Sequence, residues 1–392
     1  MRILLIHQYY CPEGGSGNDR TRYFAEYFAD QGHEVVVLTT QARFPDSLKG
    51  SETLRFRNAN ISVVAFPLPN THALGYAARI RTFLDFYRFG LREEKKLGAI
   101  DCVYACSTPL TAGELGRVIA RRRGVPFLFE VQDVWPDAAY GMGIIQNPIL
   151  KWTLDFLTKR LYDDAHHILA LSSDMVPWIN RLGNISPKIS IIPNGTDVQL
   201  FTPKSEKQRN PLQFIYAGAI GKANGLDQLV AAVRILKRRG INSFKLLIYG
   251  TGNRFERVKS LSVGLEDFIE WKGEVTKLQV AKEIQQASVG IVCFAPYKVL
   301  ESNSANKFFD YLSAGLPVLV NYGGWQAKVL ETNNCGLSSE PGNPEDLADK
   351  MAEMLLHPER LSLMGANARA LALAQFDRRD LAAQVLDILK HM

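Results

Sequence analysis

The sequence predicts an α/β protein of two doubly wound domains in series, each a mostly parallel sheet covered by helices. Three observations predict it. Short apolar runs bounded by polar or turn residues alternate with amphipathic stretches, the pattern of buried parallel strands and their crossover helices. A glycine-rich loop follows the first run of each half, EGGSG at 13–17 and GAIGKANG at 218–225. The pattern then restarts after IIPNGTDVQLFTPKSEKQRNP, residues 191–211, whose Pro, Asn, Gly and charge read as a linker.

Taken in order, RILLIHQYY is a first strand, DRTRYFAEYFADQG a helix closed by Gly32, and HEVVVLTT the next strand. DCVYACS, FLFEVQDV and HHILALS are further buried strands of the first half. LQFIYAGA opens the second half, followed by the helix LDQLVAAVRILKRRG and the strand FKLLIYG with its small loop TGNR. VGIVCFAP, the helix NKFFDYLSAG and PVLVNYGG complete the duplicated architecture. The expected division is a first domain over 1–195, a second over 196–375, and a C-terminal helix over 376–392 that can return to the first domain. The carboxyl ends of the two sheets, facing a shared cleft, are the expected ligand site.

Composition narrows the function. The chain has 392 residues, too many for one core, with 46% hydrophobic and 22% charged residues. A net charge of +6 suits phosphate-bearing ligands or an anionic membrane surface and is too weak to argue for nucleic acid. The five cysteines form no disulfide or zinc pattern and read as reduced thiols of a cytosolic protein. No apolar run approaches the ~18 residues of a membrane span. MRILLIHQYY is too short in its apolar part for a signal peptide.

A glycine loop opening a helix brings backbone N–H groups to an anion. The first loop lacks the dinucleotide fingerprint: Gly15-x-Gly17 is followed by Arg20 where a third glycine belongs, and no Walker lysine follows. The second loop adds Lys222, a point charge suited to a diphosphate; the competing reading is a solvated loop lysine. YDDAHHILALSSDM gathers Asp163, Asp164, His166 and His167, but adjacent histidines on a strand point to opposite faces, so no metal is expected.

Five stretches, in order from about residue 10 to about residue 340, together resemble one family. They are EGGSGNDR, FEVQDVWPD, IIPNGTDVQLF, IYAGAIGKANGLDQLVAA and SANKFFDYLSAGLPVLVNYGGW. The set is similar to the retaining glycosyltransferases of the GT-B fold, family four. The nearest subgroup assembles bacterial surface polysaccharide, like the fucosamine transferases of O-antigen and capsule, in lipopolysaccharide and polysaccharide biosynthesis. The resemblance implies a nucleotide-sugar donor, expected to be a UDP-sugar, held by the C-terminal domain. It implies an acceptor, a polyprenyl-diphosphate-linked or oligosaccharide chain, held by the N-terminal domain. The nucleotide sugar is a substrate, and no cofactor is expected.

The resemblance also assigns residues. Gly14 and Gly15 would let the N-terminal domain approach the donor diphosphate. Gly218, Gly221, Gly323 and Gly324 would line the donor site. Lys222 and Lys307 would carry the charge of the departing diphosphate without a metal, Lys307 alternatively pairing with Asp310 along its helix. Asp310 falls where the family's second glutamate binds ribose hydroxyls, with Asn306 one turn earlier. The family's first glutamate falls on Ser302, with Glu301 one position off, so both are candidate sugar contacts. Serine there favours attack on the face the diphosphate leaves over a double displacement. Asp133 would orient or deprotonate the acceptor hydroxyl, its alternative being a turn aspartate.

YAARIRTFLDFYRFGLREEKK, residues 76–96, mixes Arg79, Arg81, Arg88 and Arg92 with Phe83, Phe86, Tyr87 and Phe89. Such a segment can lie on anionic lipid or pack on the sheet with a solvated basic face. The expected location is the cytoplasm, peripheral on the inner face of the membrane. A GT-B sugar-nucleotide epimerase is the rival function. A nicotinamide-dependent oxidoreductase is disfavoured by the missing fingerprint.

Overall fold

The computed structural model describes residues 1–13, 19–50, 54–68, 76–204 and 212–392. The chain forms two compact units, Met1–Pro193 with Arg379–Met392, and Asn194–Arg378.

In the first unit the strands are β1 (Arg2–Ile6), β2 (Glu34–Thr40), β3 (Leu54–Asn58), β4 (Ile61–Phe66), β5 (Cys102–Cys106), β6 (Phe127–Val131), β7 (His167–Ala170) and β8 (Ile189–Ile191). The helices are α1 (Arg20–Asp30), α2 (Tyr76–Glu93), α3 (Leu110–Arg123), α4 (Asp137–Gly141), α5 (Pro148–Asp164) and α6 (Val176–Asn180). The sheet runs β3-β4-β2-β1-β5-β6-β7-β8 and is parallel except for the edge pair β3–β4. That edge hairpin was not anticipated. The first strand is shorter than RILLIHQYY suggested: after Ile6 the Tyr10 amide turns back to the His7 carbonyl.

The central strands β1, β2, β5, β6 and β7 are buried on both faces, as a parallel sheet requires. On one face Ile3, Leu5, Val35, Val37, Tyr104 and Leu128 pack with Phe24 and Phe28 of α1. On the other, α3 comes close to the sheet because Gly113 and Gly116 have no side chain to strike Phe129 and Ala105. The strand order reverses between β1 and β5, so the crevice at their carboxyl ends is the ligand position this topology favours.

The second unit has β9 (Leu212–Ala217), α7 (Leu226–Arg238), β10 (Phe244–Tyr249), α8 (Phe255–Leu261), β11 (Ile269–Gly273), α9 (Lys277–Gln286) and β12 (Val289–Val292). It continues with α10 (Asn306–Ser313), β13 (Val318–Val320), α11 (Trp325–Thr332), β14 (Gly336–Ser338), α12 (Pro344–Leu356) and α13 (Pro358–Gln375). All its strands are parallel, in the order β11-β10-β9-β12-β13-β14. Its switch point lies between β9 and β12. Phe214, Tyr216, Leu229, Val233, Leu246, Ile291 and Met351 belong to its core.

The last helix, α14 (Arg378–His391), belongs to the first unit from Arg379 onward. Leu381, Ala382, Val385, Leu386 and Leu389 are buried in the same cluster as Phe24 and Phe28. All five cysteines are buried, and none forms a disulfide.

Candidate functional site

In the first unit, Asp133 follows β6 at the carboxyl edge of the sheet. Its Oδ2 accepts a hydrogen bond from the Thr108 hydroxyl at 3.2 Å, and Thr108 follows β5. Thr108 has φ +73°, a left-handed conformation costly for a β-branched residue. The two loops are tied a second time, by the Gln132 amide donating to the Ser107 hydroxyl at 2.9 Å. Burial raises the Asp133 carboxyl above its ordinary value, and the Thr108 hydrogen bond only partly opposes that. A carboxylate of raised basicity in a fixed position can act as a general base.

Glu130, within β6, is fully buried. Burial alone would raise its pKa, but the Arg20 charge and hydrogen bonds from Tyr104, Gln132 and Arg20 leave it below the usual range. Arg20 Nε reaches Glu130 at 3.1 Å, and its other nitrogens donate to the carbonyls of Ile192 and Pro193 at 2.9 and 2.6 Å. The residue that breaks the dinucleotide fingerprint therefore clamps the chain where the segment Met1–Pro193 ends. Gly14 and Gly15 lie outside the described residues.

In the second unit the sequence-distant Lys307 and Gly218 come together. Lys307, in the first turn of α10, donates to the Tyr216 hydroxyl at 3.2 Å and lies 4.3 Å from that ring's centre. A Cβ on Gly218 would meet its Cε and Nζ at 2.6 Å, so a side chain there would displace the end of the lysine. Burial pushes the Lys307 pKa down to about 8, with nearby Cys293 acting in the opposite sense. Lys307 is thus lodged against Tyr216 rather than laid along its helix.

The loop after β9 is shaped by close approach. Gly225 has φ +59°, and a Cβ there would meet the Cα of Ala295 at 2.8 Å. The Gly221 amide is engaged by Asn224 Oδ1 at 3.2 Å. Lys222 is exposed, with its ammonium 5.9 Å from the Tyr297 ring centre.

Asp310 has a partner the sequence did not suggest: the Thr196 hydroxyl donates to its Oδ1 at 2.8 Å. Asn194, two residues earlier, holds the turn ahead of α10 by donating to the Ser304 carbonyl at 2.7 Å. The segment read as a linker therefore fixes the start of α10. Asn306 is exposed at the head of that helix.

Ser302 is buried, and its hydroxyl donates to the Val299 carbonyl at 2.7 Å. Glu301 stands at the paired glycines instead: a Cβ on Gly323 would lie 3.3 Å from its Oε2, which also accepts from Lys298 at 2.6 Å. Gly324, at φ +87°, begins α11. In the segment 76–96 both expected characters are present. Phe86 and Phe89 of α2 are core residues, while Arg81 and Arg88 are exposed and flank Asp85. Phe83 and Tyr87 are half-buried.

Asp163 pairs with Lys159, Asp164 with Arg117, and His167 with the Ser190 hydroxyl. Among the described residues no group of three His, Cys, Asp or Glu is gathered as metal ligands, and no helix is long and apolar enough to cross a membrane. Tyr216, Thr196 and Thr108 are the contacts that sequence reasoning missed. Only the hydroxyl of Thr108, close to a predicted strand end, carried a local signal.

Comparison with known proteins bears on this arrangement. The model of the Glycosyl transferase 4-like domain matches residues 15–195, and that of Glycosyl transferases group 1 matches residues 197–371. A GDP-mannose-dependent alpha-(1-6)-phosphatidylinositol monomannoside mannosyltransferase of Mycobacterium tuberculosis is 27% identical over 170 residues. That alignment covers 42% of this chain and 44% of the relative, less than half of either. An MMP alpha-(1->4)-mannosyltransferase of Mycolicibacterium hassiacum is 21% identical over 99% of this chain and 97% of its own. The sucrose-phosphate synthase structure from Thermosynechococcus elongatus superposes with a TM-score of 0.82 at 16% identity, over 100% of this chain and 98% of that one. With both halves matched by consecutive family models and the backbone of each unit a Rossmann-like sheet, the chain belongs to the family-four glycosyltransferases of the GT-B fold.

Proposed function

We propose that the chain transfers a sugar, with retention, from a nucleoside diphosphate sugar to a lipid-linked or saccharide acceptor in bacterial surface polysaccharide synthesis. The observation that carries this reading is Lys307 lodged beside Gly218 at the carboxyl edge of the second sheet. Departure of a diphosphate needs developing negative charge stabilised, and a buried ammonium does that with little reorganisation. Lys222, at the head of the short turn before α7, supplies a second cation. Asp310 and Asn306 would take the ribose, and Glu301 beside Gly323 the sugar. Asp133 would orient the acceptor hydroxyl and accept its proton. With Ser302 turned inward, attack on the face the diphosphate leaves is the retaining route this reading takes. The lysines would make a divalent metal unnecessary, so turnover should persist in EDTA.

The resemblance to surface-polysaccharide transferases supports a uridine diphosphate sugar, with an N-acetylated amino or deoxy sugar. A second reading, guanosine diphosphate mannose, is supported by the name of the mycobacterial relative. Protection against thermal unfolding by each nucleotide separates them, since a ligand of the folded state raises its stability by mass action. An epimerase would convert donor alone, so product analysis without acceptor separates that rival.

Asp133→Asn tests the chemistry. It should lower kcat by about 10²–10⁴-fold, the range for a general base, while leaving nucleotide protection unchanged. Near-normal turnover would return Asp133 to the role of a turn residue.

A further inference from the structure

Helix α5 is apolar on two opposite faces. Thr158, Leu161 and Tyr162 are buried on one. On the other, Ile149, Trp152 and Phe156 recur at helical spacing and are 74%, 69% and 50% exposed. Leu150 and Ile144 are also exposed nearby in the chain, so five large apolar side chains reach solvent within residues 144–156. Single exposed apolar residues are ordinary, but a contiguous cluster marks an interaction surface. The Trp152 and Phe156 rings stack, with centres 6.0 Å apart and planes at 15°. The helix that carries them is firmly begun: the Asn147 side chain accepts from the amides of Ile149 and Leu150, with Pro148 at the first position.

Charge identifies the occupant. Arg160 lies over the Phe156 ring and Lys151 over Tyr140. Two of the helix's acids are drawn to partners elsewhere, Asp155 to Arg181 and Asp164 to Arg117, and the third, Asp163, pairs with Lys159 of the same helix, which leaves Lys151 and Arg160 beside the rings. Aromatic and aliphatic side chains at the tip, with cations around them, are the composition of a helix seated in the headgroup layer of an anionic bilayer. A second copy of the chain fits less well, because five side chains from one helix and its preceding turn fall short of the roughly 800 Å² per partner of a stable interface.

We propose that the Ile149–Trp152–Phe156 face of α5 docks the first unit on the surface of an anionic phospholipid bilayer. The inference deepens the proposed function, resting on its lipid-carried acceptor for its purpose, whereas the surface itself is argued from α5 alone. It differs from the expectation for residues 76–96, whose aromatic side chains include core residues.

The test is co-sedimentation of the full chain with vesicles of phosphatidylcholine containing phosphatidylglycerol. Trp152→Ser combined with Phe156→Ser should weaken binding by about tenfold or more, given the apolar area withdrawn from lipid. Both side chains are exposed, so the melting temperature should be unchanged. Trp152→Phe keeps a ring at that position. It should keep binding while losing much of the tryptophan quenching caused by bromine-tailed lipid, and this measurement decides alone if the double variant unfolds. Equal binding by the double variant, or no binding by the native chain, overturns the proposal. So does a native dimer that the double variant dissolves, which would give the face to a second copy. Vesicle binding together with transfer only to soluble saccharides would overturn the lipid-linked acceptor and leave the docking face standing.

Discussion

Lys307 concentrates the chemistry of the second unit in one titration. With its pKa near 8 in the free protein, the ammonium is present at neutral pH and is lost as pH rises further. A bound diphosphate favours the charged form and raises that pKa. Nucleotide affinity should therefore be full below about pH 8 and fall by up to about tenfold per pH unit above it, with proton uptake on binding in that range. Lys307→Met should weaken binding at pH 7 and abolish the pH dependence; a native affinity flat from pH 7 to 9.5 would show that the diphosphate does not meet Lys307. Stability runs the opposite way. Above about 8 the unfolded lysine still holds a proton that the folded one has released, so stability should rise with pH until the unfolded lysine titrates. Little of this was legible in the sequence. The lysine, the glycine loop and the acid at 310 were visible as motif residues. The Tyr216 hydroxyl that receives the lysine lies 91 positions away in a strand whose pattern says only that the residue is buried. Thr196 was hidden in the same way, because a linker composition does not show that one of its hydroxyls reaches Asp310.

At the scale of elements, periodicity served well where a strand or helix is buried by its own pattern. β1, β2, β5, β6, β9, β10 and β12 lie within the apolar runs that announced them, and α1, α7 and α10 within their amphipathic stretches. It failed where pairing decides, as in the edge hairpin β3–β4, and where a short strand carries no apolar run, as in β14. The loop after β9 shows why glycine content alone is ambiguous. Gly225 is required by backbone conformation and by the nearness of Ala295, whatever the loop binds. Gly225→Ala should cost more than Gly240→Ala, where φ is +74° but nothing lies within 4 Å of the added carbon. The control should lose about 1–2 kcal/mol from left-handed strain. The Gly225 variant should lose a further 1–3 kcal/mol or so from overpacking against backbone that cannot yield. Urea unfolding measures both, and equal losses would mean that the loop gives way to the new methyl.

For the whole molecule, the first unit's core is built from chain segments hundreds of residues apart. Leu381, Val385, Leu386 and Leu389 are each nearly or fully buried there. At roughly 1.5–3 kcal/mol for each large aliphatic side chain, they contribute as much as an ordinary domain's net stability. Ending the chain at Arg378 should abolish the calorimetric transition of the first unit and leave that of residues 194–378 in place. Two retained transitions would show that α14 only decorates a self-sufficient core.

The return of α14 also sets an order in time. During synthesis the domain nearest the N-terminus ordinarily folds first. Here residues 194–378 have all their own strands and helices before Leu381 to Leu389 have left the ribosome, while residues 1–193 must wait for those side chains to close their core. The half that is made second should gain protease resistance first. Nascent chains arrested at increasing lengths would show the first unit maturing only when α14 emerges, so that one apolar face of its sheet passes most of translation with α1 in place and α14 missing.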